Sequence, residues 1–136
     1  MKKLTFIIVA LGVIFVFLSC ATSDKKLPEP EGVLLSQSEL EKIHSDEITY
    51  TVKTNKSPVE VTETCFPNGT NKYTWSSGEE QGGDTGTYRI IDGQKCSSYK
   101  SINNGKEKCW KVYRISDKKV YIECTDGYEF GYVTRK

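Results

Sequence analysis

The fold is decided by residues 48–53, Ile48-Thr49-Tyr50-Thr51-Val52-Lys53, in which apolar and polar side chains alternate. A period of two is typical of a β-strand that buries one face, because successive side chains of a strand point to opposite sides. The alternation returns at Val59 and Val61 and recurs along the rest of the sequence. Turn-forming residues separate the segments at Pro67-Asn68-Gly69, Asp92-Gly93, Asn104-Gly105, Ser116-Asp117 and Asp126-Gly127. The chain after residue 46 is therefore predicted to be antiparallel β-structure.

The segments between these turns predict about eight strands. They lie near residues 47–54, 59–66, 71–77, 85–91, 94–101, 108–116, 119–125 and 128–134. Eight strands are enough to close a barrel, which leaves no exposed sheet edge, and a two-sheet sandwich would give the same pattern. We predict a mainly β fold, a small antiparallel meander closing into a barrel or sandwich, with one short N-terminal helix. The glycine-rich segment 76–86 is predicted to be an exposed loop.

The helix is predicted from a capping-box sequence, Ser36-Gln37-Ser38-Glu39, in which the first serine and the glutamate bond each other's backbone N–H groups. Leu40 and Ile43 follow one turn apart, and the helical pattern ends near His44. Such a helix could cover an open end or edge of the sheet. His44 is the only histidine of the chain, and we interpret it as a solvated helix terminus.

The N-terminal residues have the anatomy of a signal peptide, with Lys2 and Lys3 before an apolar run. That run has about fifteen residues, fewer than the roughly 17 to 25 of a membrane-spanning helix. The sequence Phe17-Leu18-Ser19-Cys20 resembles the lipobox of bacterial lipoproteins. The resemblance implies that Cys20 is acylated, with chains such as palmitate, and that the protein is lipid-anchored in the bacterial cell envelope. Ala21 after the cysteine implies the outer membrane.

Three parts of the chain are expected from these features. Residues 1–19 form the lipoprotein signal peptide, residues 20–32 the lipidated N-terminus and a tether, and residues 33–136 a single β-domain. The tether carries two prolines and several charges and has too few apolar groups to fold by itself.

Four further cysteines, Cys65, Cys96, Cys109 and Cys124, form an even set in a chain predicted to be exported. Three pairings are possible. Cys96 and Cys109 lie on predicted neighbouring strands, so we expect a bridge between them, which leaves Cys65 to pair with Cys124. A metal site is not expected, because the sequence lacks closely spaced ligand pairs of the C-x-x-C kind. We expect no cofactor.

Composition argues against several classes of function. The chain has 19 Lys and Arg against 18 Asp and Glu, a net charge of +1, without the clustered basic face that nucleic acid requires. A Ser or Cys nucleophile needs a base, and the single histidine offers no triad, so we assign no catalytic residue and expect no enzymatic activity. Tyr128, Phe130 and Tyr132 alternate near the end of the chain and are a candidate contact surface.

Two resemblances concern the β-domain. Gly86-Thr87-Tyr88-Arg89-Ile90, followed by Cys96 and by Cys109-Trp110-Lys111-Val112, resembles a pattern of small exported bacterial β-domains of unknown function. That resemblance implies a disulfide-linked hairpin. Ser77-Gly78 is similar to the loop element that lipid-anchored inhibitors of C-type lysozyme insert into the cleft of the enzyme. This second resemblance implies a small disulfide-bonded barrel with a projecting loop.

Three functions remain open. The first is a non-catalytic module that binds a protein or an envelope polymer. The second is an inhibitor of a hydrolase such as lysozyme, which predicts that segment 76–86 projects as a rigid wedge. The third is a carrier of a small apolar ligand, which predicts a hollow barrel. A barrel of about eight strands can fill its interior with side chains, and we expect the aromatic residues to do so.

Overall fold

A computed structural model describes residues 27–136 of the chain. The strands are β1 (Val33–Leu34), β2 (Ile48–Thr54), β3 (Val61–Cys65), β4 (Thr70–Ser77), β5 (Glu80–Ile91), β6 (Gln94–Tyr99), β7 (Lys108–Arg114), β8 (Lys119–Cys124) and β9 (Phe130–Arg135). Helix α1 spans Gln37–Ile43, and a 3-10 turn spans Asn103–Gly105. The predicted signal peptide, Cys20 and residues 21–26 lie outside the described part.

Strands β2 to β9 form a closed antiparallel barrel, not a sandwich. Each strand pairs with the next along the chain, and β9 returns to pair with β2, where Val52 faces Val133. Closure gives every strand of the barrel two neighbours and so removes the open edges of a meander. The prediction of about eight strands is confirmed, and the choice between barrel and sandwich is settled in favour of the barrel.

Strand β1 and helix α1 are additions to the barrel. β1 pairs with the second half of β7, at Tyr113 and Arg114, on the edge that β6 leaves free after Trp110. Because β1 precedes α1, the helix is internal and not N-terminal as the sequence predicts. The two-residue strand could not be predicted, because its partner edge exists only once β6 and β7 are staggered.

Helix α1 covers one end of the barrel. The predicted capping box is present: the Ser36 side chain accepts from the Glu39 N–H, and the Glu39 carboxylate accepts from the Ser36 N–H. Gln37 fixes the helix to the β5–β6 turn, since its amide donates to the Ile90 carbonyl and accepts from the Gly93 N–H. We call this the helix end, where β2 begins, and the opposite end, where β2 stops, the loop end.

Segment 76–86 is not a loop. Ser77 pairs with Glu80, so only two residues turn the chain, and β5 continues from Glu80 without a break. The glycines of this segment suggest a loop, but in the structure they allow groups of β4 to lie close to the backbone of β5. A Cβ on Gly82 would lie 2.7 Å from the Trp75 ring, and one on Gly83 would lie 2.5 Å from the Tyr73 carbonyl oxygen. Glycine inside a strand commonly has this role.

Two groups of buried side chains fill the helix end. Leu35 and Leu40 pack with Val112 and Ile122, and Ile48 and Tyr50 pack with Cys65 and Tyr88. The helix thus contributes its apolar face to the barrel interior. Among residues 27–136, helices are too short to cross a membrane.

Candidate functional site

The barrel is hollow. Its strands enclose a cavity of about 490 Å³, which lies in the range of about 300–1,000 Å³ typical of ligand pockets. The wall formed by β2 and β7–β9 is mainly apolar, and the residues Val52, Val112, Val120, Ile122 and Val133 face the cavity together with Trp110 of β7. The cavity reaches the surface at the loop end, beside exposed Lys56, Ile102 and Lys106, and at the helix end it borders Asp117, Lys118 and Arg135, which are also exposed.

The expectation that aromatic side chains fill the barrel is wrong, because these side chains divide between the two faces of the wall. Tyr113, Tyr121, Phe130 and Tyr132 alternate with positions whose valine and isoleucine side chains line the cavity, and they therefore point outward. Their rings pack together on the outside, with centroids 5.6–6.2 Å from that of Tyr121. The aromatic residues that do line the cavity, Tyr50, Tyr73, Tyr99 and Trp110, leave the space unfilled together with the aliphatic ones.

The opposite wall of the cavity carries a buried polar cluster. The Lys95 ammonium lies 2.9 Å from the Glu63 carboxylate and also donates to the Tyr50 hydroxyl. The other carboxylate oxygen of Glu63 accepts from the Tyr99 hydroxyl and from the Asn71 amide, the latter at 3.1 Å. These contacts satisfy a charge pair whose side chains are 10% and 11% exposed.

The cluster is ionised. Burial opposes the charge on Glu63, but the nearby ammonium of Lys95 and the Tyr99 hydroxyl hold the pKa of the carboxyl below its usual range. Burial likewise disfavours the charge on Lys95, yet the facing carboxylate raises the pKa of its amine. Burial also raises the pKa of the Tyr50 hydroxyl. The cavity therefore contains one balanced ion pair on its polar wall.

His44 is buried, so its interpretation as a solvated terminus is wrong. Leu40 and His44 lie one turn apart on α1, and docking of Leu40 into the barrel brings the imidazole with it. The ring lies 5.3 Å from that of Tyr88, and Nδ1 lies 2.9 Å from the Leu40 carbonyl oxygen. Burial and the charge of Lys95 lower the pKa of His44 to about 4, so the ring is neutral at neutral pH.

This buried imidazole predicts acid sensitivity. The unfolded histidine takes up a proton near pH 6.5 and the folded one only near pH 4, so its contribution is present above pH 6.5 and is lost as the pH falls through this window. Urea unfolding should show about 2 kcal/mol less stability at pH 5 than at pH 7.5. His44→Gln should lack most of this difference; an equal loss in the variant would contradict it. Burial opposes the charge of Glu63, but Lys95 and the Tyr99 hydroxyl lower its pKa, so this carboxyl does not cause the loss between pH 7.5 and pH 5.

No family model, curated protein or solved structure matches this chain.

One of the two expected disulfides is present. Cys96 and Cys109 face each other directly on β6 and β7 and are bonded, as predicted. Cys65 and Cys124 are free and buried, so the expected second bridge is wrong. Cys65 ends β3 at the helix end, whereas Cys124 ends β8 at the loop end. The two cysteines are thus roughly 20 Å apart along the strands, far beyond the reach of about 4.4–6.8 Å between bridged Cα atoms.

The two free thiols are not activated as nucleophiles. Burial raises the pKa of Cys65, whose sulfur lies 3.1 Å from the Tyr50 hydroxyl. Burial also raises the pKa of Cys124 to about 11. Because the thiolate is the reactive form, neither cysteine is activated at neutral pH.

The surface residues singled out in the sequence lie apart from the cavity wall. Ser77 and Gly78 form the tip of the β4–β5 hairpin at the loop end, and both are exposed. Tyr128 lies in the turn before β9 and is 73% exposed, so it does not share a strand face with Phe130 and Tyr132. The latter two do share the outer face. Binding by any of these residues remains a prediction.

Sequence reasoning missed Glu63 and Lys95. Their positions along the strands could have indicated them. Glu63 lies two residues from Val61 and from Cys65, and Lys95 lies two residues from Ser97, so their side chains point to the same face of the strand as these neighbours. A charged residue in phase with buried neighbours indicates an inward position. The alternation in these short segments was too weak to show which face was buried.

Proposed function

We propose that this chain is an exported, lipid-anchored binding protein whose β-barrel takes a small, largely apolar molecule into its interior. The observation that carries the proposal is the cavity inside the barrel, whose wall of β2 and β7–β9 is mainly apolar. An unfilled apolar space loses packing contacts, and natural cores rarely leave one of this size. A ligand would restore those contacts and remove its own apolar surface from water.

The volume sets the size of the molecule. About 490 Å³ corresponds to roughly 16 volumes of liquid water at about 30 Å³ each. The ligand is therefore a single small molecule and not a macromolecule. The balanced Lys95–Glu63 pair offers hydrogen bonds on one wall without an unpaired charge.

Filling the cavity is expected to abolish binding. Val133→Phe adds a ring inside the barrel, opposite Val52, whereas Thr134→Phe adds the same ring at an exposed position of the same strand. Titration with the fluorescent apolar probe N-phenyl-1-naphthylamine should give affinity weakened by about tenfold or more in the first variant. The second should bind like the wild type. Unchanged binding by Val133→Phe, with the fold intact, would place the probe elsewhere.

Export and anchoring rest on the sequence of the first 20 residues. Intact mass spectrometry of the membrane-extracted protein should give the mass of a chain that begins at acylated Cys20, with one disulfide. A mature chain without acyl groups would contradict the anchor but leave the cavity proposal untouched.

A second candidate function is recognition of an envelope protein or polymer by the outer surface. It is favoured by Tyr128, whose side chain is 73% exposed at the loop end, next to the outward-facing Phe130. Exposed aromatic residues are enriched at binding hot spots. Cross-linking from position 128 in intact cells should yield a discrete adduct that is lost when the cross-linker is placed instead at exposed Lys111.

A further inference from the structure

The two ends of the cavity differ in their side chains. At the helix end Leu35, Leu40 and Ile43 cover most of it and the exposed residues Asp117, Lys118 and Arg135 border it, so both signs of charge are present there, whereas its rim at the loop end carries Lys56, Lys106 and Lys108. Between these ends the β7–β9 wall is apolar and mostly aliphatic, with Trp110 as its one aromatic lining residue among those described. A molecule that enters at the loop end therefore meets positive charge first and apolar side chains afterwards.

The charges of the rim do not cancel. Lys108 forms an ion pair with Glu129 and lies 4.0 Å from Asp126. Lys56 and Lys106 have no carboxylate within 4.0 Å among residues 27–136. The neighbouring carboxylate of Glu107 is already held by Arg89 at 2.7 Å. The rim thus has two cations available to a ligand.

The interior offers no such charge. Lys95 is held by Glu63, so a charged group carried into the barrel would lose its hydration without gaining a free partner. A charged head group is therefore stable only at the rim, and the aliphatic wall below it suits a chain.

We infer, on the basis of the proposed function, that the ligand is a single-chain amphiphile with an anionic carboxylate or phosphate head group. The chain lies in the barrel, and the head group lies at the loop-end rim beside Lys56 and Lys106. The barrel is roughly 15 Å deep along its axis, from a seven-residue β2 tilted as barrel strands are. This depth and the cavity volume suit a chain of about ten to twelve carbon atoms.

The test compares four ligands with the same twelve-carbon chain on the full protein: dodecanoate, dodecyl phosphate, 1-dodecanol and dodecylamine, each below its micelle concentration. Displacement of N-phenyl-1-naphthylamine at neutral pH reports affinity. We expect the two anions to bind about tenfold more tightly than the alcohol, and the amine most weakly. Added salt should weaken binding of the anions and leave the alcohol unaffected. The stronger of the two anions identifies which head group the rim prefers.

Charge reversal locates the head group. The double variant Lys56→Glu/Lys106→Glu should weaken binding of the preferred anion about tenfold and change that of 1-dodecanol less than about threefold. Lys111→Glu, the same change at an exposed outward position of β7, should change neither. Equal affinity of all four ligands for the wild type, or tighter binding of the amine, would overturn the anionic head group while leaving the cavity function intact. Failure of every ligand and of the probe to bind would overturn both.

Discussion

Replacing Lys95 with methionine is expected to lower the free energy of unfolding by about 3–5 kcal/mol, a large share of the total stability of a small domain. The variant keeps an aliphatic chain of similar length but leaves the Glu63 carboxylate buried without its cation. Urea unfolding at pH 7.5 measures the effect. Lys111→Met, which removes an exposed lysine from the outer face of β7, should change stability by less than about 0.5 kcal/mol.

A second variant distinguishes the loss of the ion pair from a general effect of substitution at position 95. Lys95→Met combined with Glu63→Leu should recover most of the loss, because well-packed apolar residues often replace a buried ion pair without penalty. A loss of less than about 1 kcal/mol for Lys95→Met alone would mean that Glu63 is hydrated and that the polar wall is open to water.

Removing the disulfide is expected to have the next largest effect. Cys96→Ala/Cys109→Ala should lower the free energy of unfolding by about 3 kcal/mol, because the bridge, which joins residues 13 apart, restricts the unfolded chain. Urea unfolding of both proteins with and without dithiothreitol provides the control. The reductant should destabilise the wild type by a similar amount and leave the double variant unchanged. Further destabilisation of the variant would show that Cys65 and Cys124 are bonded after all.

The strands and the helix could be predicted from the sequence because their signals are local. Alternation in residues 48–53 identified β2, and the capping box placed the first turn of α1 to the residue. The Cys96–Cys109 bridge was predictable for the same reason, since the two cysteines lie on strands joined by one connection. Each feature depends on residues that are close in the chain.

The predictions that were wrong concern features that depend on distant parts of the chain. Segment 76–86 has the composition of a loop, and its glycines serve a strand only because the Trp75 ring and the Tyr73 carbonyl lie against them. The pairing of Cys65 with Cys124 is predicted only because the other two cysteines pair with each other. It is wrong because β3 and β8 run in opposite directions, so the two cysteines lie at opposite ends of the barrel.

The candidate site was the least predictable part. Whether a barrel is hollow depends on how side chains from all eight strands share its interior, and composition lists aromatic residues without saying which face each occupies. Tyr121 is 1% exposed although it lies on the outer face, so even burial does not mark an interior position. The buried Lys95–Glu63 pair joins strands that are far apart in sequence, and neither residue carries a motif.

The measurement that tests the hollow barrel most directly is methyl NMR of the protein titrated with 1-dodecanol. Saturable 1:1 binding is expected, with intermolecular NOEs to the inward methyl groups of Val112, Ile122 and Val133. The exposed methyl groups of Val33 and Ile115, outside the cavity, should show none. NOEs confined to these outer methyl groups, or no saturable binding, would contradict a ligand cavity inside the barrel.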